Sequence, residues 1–369
     1  MKLFQITRDA LLGPLQAVSG IVEKRHTLPI LSNVLIQRKQ DQILLVATDL
    51  EIQVSTQITA ETKTSDDIGL TVSARKLQEI LRALPDEAEV ILDVQNNRLQ
   101  IRTGRSRFNL QTLPASDFPT LADPGTMLAK IVLSQRELRD LLLLVQYAMA
   151  QQDIRYYLNG LLLVLETDQI RVIATDGHRL SYAVGHAANQ AEKREVILPR
   201  KAVIELAKQL DESDDEVVIE LYMAQLKFRF STVELITKII DGKFPDYTRV
   251  IPMNYRKQIS LDRALLLACL QRVGILSNEK FRGVRWLLST NSLRISCTNN
   301  EQEEAQEELE VSYSGDEIDM GFNINYLFDV LTNVQSETVI CAFEDANSSM
   351  LLSVPSKPDF RYVVMPMRI

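Results

Sequence analysis

Three stretches carry apolar residues at helical spacing: residues 8–19 (RDALLGPLQAVS), 135–149 (QRELRDLLLLVQYAM) and 262–276 (DRALLLACLQRVGIL). A polar residue suited to capping stands at the start of each: Thr7, Ser134 and Asp262. After each comes a strand-like apolar run: LPILSNVLIQ from Leu28, YYLNGLLLVLE from Tyr156 and FRGVRWLLST from Phe281. A second strand, rich in β-branched residues, follows and holds Asp49, Asp176 and Asn299 at matching positions, 127 and 123 residues apart. A second helix opens at Ser73 (SARKLQEILRAL), Leu198 (LPRKAVIELAKQL) and Asn323 (NINYLFDVLTNV). Alternating strands close each copy. The first two copies also share a turn, Asp117-Phe118-Pro119 and Lys243-Phe244-Pro245.

The pattern predicts one α–β–β–α–β–β unit used three times, an α+β fold with antiparallel sheets. The expected domains are 1–124, 125–253 and 254–369. Each copy supplies two helices, and several carry bases: Arg8; Arg75, Lys76 and Arg82; Arg136 and Arg139; Arg200, Lys201 and Lys208; Arg263 and Arg272. If the strands form outer sheets, these helices line one positive inner surface.

Composition narrows the function classes. The net charge of −8 argues against a protein coated in positive charge, but leaves room for a local basic face. No apolar run is long enough to cross a bilayer, and Arg8 and Asp9 interrupt any signal peptide. A cytoplasmic protein is expected. Cys269, Cys297 and Cys341 are scattered and read as buried free thiols, and three histidines offer no metal site. No metal or cofactor is expected.

Two patterns suggest catalysis. Ser73 and Lys76 have the spacing of an acyl-transfer pair, but they open a repeated helix, where Ser73 reads as a cap. Asp176 and His178 could serve as acid and base. The equivalent turn at Asp49 lacks the histidine, so a structural aspartate explains both copies and His178 reads equally as a binding contact. An enzyme, a protein-binding scaffold and a nucleic-acid-binding ring remain distinct readings here.

Charge also suggests assembly. The first copy ends on a basic, apolar edge: Arg98, Arg105, Arg107, Phe108 and Leu110. The third offers Ile275 and Leu276 beside the acidic run 301–310, which includes Glu301, Glu303 and Glu304. Two chains joined head to tail through such edges close into a ring if the rotation suits. At about 10 Å spacing, six helices enclose a hole of roughly 9 Å and twelve one near 28 Å. Only the second admits duplex DNA, so two chains are expected.

The chain resembles the bacterial DNA polymerase III beta subunit family, the sliding clamps. The resemblance rests on TLPIL from Thr27, QDIRYYLNG from Gln152, ATDGHRL from Ala174, FPDY from Phe244, SNEKFRG from Ser277 and YVVMPMR from Tyr362. It implies a homodimeric ring, without catalysis, that tethers the replicative polymerase catalytic subunit to DNA and is opened by a clamp-loader complex. Further implied partners are other polymerases, mismatch-repair proteins and ligase, with no membrane. Contacts with double-stranded and primed DNA fall on Arg25, Arg75, Gln152, Tyr156 and Tyr157. A partner-peptide pocket between the second and third copies falls on Arg155, Tyr157, Leu158, Thr175, Gly177, His178, Arg179, Leu180, Pro245, Arg249, Val250, Ser349, Val363, Met365 and Met367. In the dimer interface, Lys76 joins the basic and acidic edges.

Overall fold

The computed structural model describes residues 2–22, 28–60, 67–187, 192–253, 255–278 and 280–368. The first copy runs β1 (Lys2–Thr7), α1 (Arg8–Ser19), β2 (Asn33–Lys39), β3 (Gln42–Thr48), β4 (Ile52–Thr59), β5 (Ile68–Ser73), α2 (Ala74–Ala83), β6 (Glu89–Gln95), β7 (Arg98–Thr103) and β8 (Ser106–Pro114). The second repeats the order with β9 (Ala129–Ser134), α3 (Gln135–Val145), β10 (Gly160–Glu166), β11 (Gln169–Thr175), β12 (Arg179–His186), β13 (Arg194–Pro199), α4 (Arg200–Gln209), β14 (Glu216–Leu221), β15 (Gln225–Phe230) and β16 (Val233–Lys238). The third has β17 (Lys257–Asp262), α5 (Arg263–Val273), β18 (Gly283–Ser289), β19 (Ser292–Thr298), β20 (Glu304–Glu310), β21 (Ile318–Asn323), α6 (Ile324–Asn333), β22 (Thr338–Phe343), β23 (Met350–Val354) and β24 (Lys357–Val364).

The α+β class and the threefold repeat hold, and the pairings between these strands are antiparallel. The outline α–β–β–α–β–β undercounts the strands. Short runs such as β1 and β5 abut helices, and the polar turn at Asp49 splits one apparent strand into β3 and β4. The first strand also starts later than its apolar run. Tyr156–Leu158 is a 3₁₀ turn, and β10 begins at Gly160. The Asn159 side chain causes this: it accepts from Asp153 N (2.9 Å) and donates to the Asp153 carbonyl (2.8 Å), closing the loop before the strand. Pro29–Ser32 forms the same kind of turn before β2.

Each helix buries one stripe: Leu11, Leu12, Leu15 and Val18 on α1, and Leu266, Cys269, Leu270 and Val273 on α5. Ser134 and Asp262 cap as expected, accepting from Glu137 N (3.2 Å) and Leu265 N (2.8 Å). Thr7 makes no side-chain cap bond. Fewer of the helix bases are free than the sequence suggests. Arg8 and Arg263 point back onto α2 and α6, donating to Leu81 O (3.0 Å) and Leu331 O (2.8 Å). Arg200 binds the Met149 carbonyl (3.1 Å). These three are used inside the fold.

The chain divides into two compact units, residues 1–139 with 204–239 and residues 140–203 with 240–369. The first holds one sheet in the order β1-β6-β7-β8-β5-β2-β3-β4-β16-β15-β14-β9. The second holds β13-β10-β11-β12-β24-β23-β22-β17 and β20-β19-β18-β21. Thus β4 of copy one pairs with β16 of copy two (Ile52↔Thr237, Val54↔Leu235), and β12 of copy two with β24 of copy three (Arg179↔Val364, Leu180↔Val363). A single backbone bond extends each junction: Lys238 N to Glu51 O and Met365 N to His178 O, both 2.9 Å. The shared turn supplies core on both sides of the repeat. Phe118 packs on Leu35 and Val46, and Phe244 on a cluster with Leu162, Ile173, Leu180 and Val363. Among the described residues no helix is long and apolar enough to cross a membrane.

Candidate functional site

The second unit carries an apolar groove built around the β11–β12 turn. Thr175 Oγ1 donates to the Arg179 carbonyl (2.6 Å) and accepts from Gly177 N (3.1 Å). Asp176 Oδ1 accepts from His178 N (2.9 Å) and Arg179 N (3.0 Å). Asp176 therefore shapes the turn, which leaves no acid–base pair with His178. Ser73 likewise accepts from Lys76 N (3.4 Å) as a helix cap.

Gly177 is needed twice. Its φ of +90° favours glycine, and a Cβ there would lie 3.0 Å from Arg155 Nη1. Arg155 is held over it by Asp153 (2.8 Å) and by the Asp176 carbonyl (3.2 Å). Arg155 in turn holds the Asp153 carboxyl down at about 2. Arg179 points the other way. Its side chain is 9% exposed and meets Asp176 (3.1 Å), Asp329 on α6, the Tyr147 carbonyl (2.6 Å) and the Tyr326 ring at 4.3 Å. Arg155 stays half-exposed at the edge of the groove. Arg179 is mainly a buried tie between the turn and α6.

The groove encloses about 630 Å³, its open mouth included. Of the fifteen residues expected from sequence, Arg155, Tyr157, Leu158, Thr175, Gly177, His178, Arg179, Leu180, Pro245, Val250, Val363 and Met365 line it. Arg249, Ser349 and Met367 do not. Arg249 is 86% exposed beside Asp246, and Met367 N bonds to Gly321 O (2.8 Å). Phe244 and Tyr247 line the groove as well. Phe244 was legible as part of a turn shared with Phe118, but its place in the groove was not.

Of the expected DNA contacts, Arg25 lies outside the described residues. Gln152, Tyr156 and Tyr157 share one loop of the second unit. Tyr156 is 57% exposed and stands edge-on to Tyr157 with ring centres 5.8 Å apart. Arg75 is exposed on α2 in the first unit and paired with Glu79 (2.7 Å). Of the expected interface residues, Lys76, Arg98, Arg105 and Arg107 are exposed in the first unit, with Phe108 and Leu110 half-buried. In the second unit Ile275 is 78% exposed, Leu276 is half-buried, and Glu301, Glu303 and Glu304 are exposed. All three cysteines are buried, and burial pushes the Cys269 and Cys341 thiols up to about 12.

Family models of the DNA polymerase III beta subunit match residues 1–122 (N-terminal domain), 132–246 (central domain) and 248–368 (C-terminal domain). The chain belongs to the DNA polymerase III beta subunit family. Within it, the chain is 44% identical to the beta sliding clamp of Pseudomonas putida and 41% identical to that of Escherichia coli K12, covering 99% of this chain and all of each relative. A crystal structure of the DNA polymerase sliding clamp from Pseudomonas aeruginosa with ligand matches at TM-score 0.95 and 43% identity over the whole of both chains. A Pseudomonas aeruginosa sliding clamp bound to griselimycin matches at TM-score 0.94 and 44% identity over 99% of each chain.

Proposed function

We infer that the chain is a DNA sliding clamp: a ring-shaped homodimer that encircles duplex DNA and tethers the DNA polymerase III catalytic subunit, without catalysis of its own. The observation that carries the ring is the strand junction. It occurs twice within the chain, as β4·β16 and β12·β24. The strands at the next equivalent places, β8 and β20, each keep an open edge. Among the described residues β20 pairs only with β19, and β8 pairs with β7 and, through Thr112–Pro114, with β5. Joining β8 of one copy to β20 of another repeats the junction head to tail. It brings Arg105, Arg107, Phe108 and Leu110 against Ile275, Leu276 and the acidic residues, with Lys76 and Arg98 alongside. We read the domains as 1–124, 125–253 and 254–369.

Partner proteins dock a short peptide in the groove under Arg155 and His178. Arg249, Ser349 and Met367 extend its outer margin. Arg25 and Arg75 contact phosphates, Gln152 adds a further DNA contact, and Tyr156 and Tyr157 offer faces to unpaired bases, contacts that carry no sequence preference and so permit sliding. The clamp-loader complex, other polymerases, mismatch-repair proteins and ligase use the same groove, and the protein works in the cytoplasm.

The test is topological. Loaded on circular DNA by a clamp loader, the protein stays bound, and it runs off once the circle is cut. Equal retention on circular and linear DNA overturns the reading. Light scattering should give a mass of two chains.

A further inference from the structure

The helices repeat a junction of their own. Glu79, Glu205 and Asp329 are each the sixth residue of α2, α4 and α6. Gly20, Tyr147 and Ile275 stand at one common distance from the starts of α1, α3 and α5. Where a copy meets the next within the chain, these two positions come together. Glu205 is 6% exposed and lies over Gly20 so closely that a Cβ there would fall 2.0 Å from Oε1. Asp329 meets Arg179, which also holds the Tyr147 carbonyl. In both places an acid reaches the C-terminal end of a helix, where the helix dipole disfavours it. In both a donor answers it. At the first, Gln209 Nε2 bridges Glu205 Oε1 (2.6 Å) and the Ala17 carbonyl (2.9 Å). At the second, Arg179 does so.

The third acid, Glu79, has neither. It is exposed, and its one ion pair among the described residues is to Arg75 on its own helix. The residue at Gln209's place on α2 is Ala83, which has no donor. The residue at Ala17's place on α5 is Arg272. Glu307 engages its Nε and Nη2, which leaves Nη1 as a donor among the described residues. Ile275 carries a side chain where Gly20 carries none, so an approaching carboxylate is turned from the backbone toward Arg272, one helical turn back.

We propose that in the dimer Glu79 of one copy pairs with Arg272 of the other, completing the helix junction beside the β8–β20 ladder. This rests on the head-to-tail dimer inferred above. It adds a pairing determinant on the helices to the basic and acidic strand edges. Because the pair is covered only when two copies meet, it acts on association and not on the fold of either copy.

A double-mutant cycle on the full-length protein, read by sedimentation across a dilution series, tests it. Glu79→Gln and Arg272→Gln should each raise the dimer dissociation constant by about five-fold, and the double variant should be no weaker than Arg272→Gln alone. Thermal melts of the two single variants under monomer conditions separate the pair from Arg272's own contact with Glu307. Two results overturn the proposal with the dimer standing: an unchanged constant for Glu79→Gln, or losses that multiply in the double variant. A wild-type protein that stays a single chain at every concentration overturns the dimer itself.

Discussion

The β3–β4 turn of copy one and the β11–β12 turn of copy two are the same object put to different uses. Thr48 Oγ1 donates to Ile52 O (2.9 Å) as Thr175 does to Arg179 O (2.6 Å). Asp49 Oδ1 accepts from two backbone N–H groups (2.9 and 2.8 Å), as Asp176 does. Leu50 even takes the left-handed conformation of Gly177, with φ +77° against +90°. The side chains diverge from there. Copy one has Ile52 buried where copy two has Arg179. It pairs Glu51 with Lys238 (3.0 Å) across the strand junction, where copy two places His178 and Met365. Gln53 holds Leu121 N (3.0 Å), whereas Leu180 faces an open groove. Backbone-bonding residues set the shape of the turn, and the residues between them decide whether a groove remains.

The largest effect should come from Arg179→Ala, which leaves Asp329 and Asp176 near one another without their shared cation. We expect a loss of about 3 kcal/mol in urea unfolding. Arg179→Ile, the residue type of copy one, should not rescue it. A loss below about 1 kcal/mol would show that Arg179 is a rim residue after all.

Gly177→Leu imports copy one's residue. Strain at positive φ should cost about 1–2 kcal/mol, and displacement of Arg155 should weaken groove peptides by more than about ten-fold. The reverse exchange, Leu50→Gly, should change stability by less than about 1 kcal/mol, since relief of strain offsets lost burial. Equal effects at the two positions would mean that the Arg155 contact is incidental.

His178→Ala is smaller. The turn uses the backbone of His178, and its side chain is exposed, so stability should move by less than about 0.5 kcal/mol while peptide affinity falls roughly three- to ten-fold. Unchanged affinity in calorimetric titration would remove His178 from the site. The smallest effect concerns acid. The Asp153 carboxyl is held down at about 2, so its pairing with Arg155 is present throughout the range above ordinary carboxylate values and is lost only as pH falls through about 2. Between pH 7 and pH 5, wild type and Asp153→Asn should therefore differ by a constant ratio in peptide affinity.

Periodicity made the six helices and the repeat legible, because an apolar stripe is a local signal. The turn aspartates were legible because two copies could be compared. Strand number was not, since β1 and β5 are too short to show alternation and the 3₁₀ turn at Tyr156 is fixed by a polar contact from Asn159. Twelve groove residues were reached through the family resemblance, and nothing in local spacing marks them. Tyr247 escaped because its role depends on a turn folding back over β10. The opposite orientations of Arg155 and Arg179 could not be read either, because Asp329 is 150 residues from Arg179.

An open strand edge invites any other strand, and stacked edges are how soluble proteins become fibres. β8 and β20 are the two edges that the proposed ring would leave bare whenever it opens. One carries Arg107 with Arg105 at its start, and the other carries Glu304, Glu308 and Glu310. Two β8 edges repel each other, as do two β20 edges, while the mixed pair attracts. In the proposed dimer, the charge that directs assembly would also keep an opened ring from sticking to copies of itself.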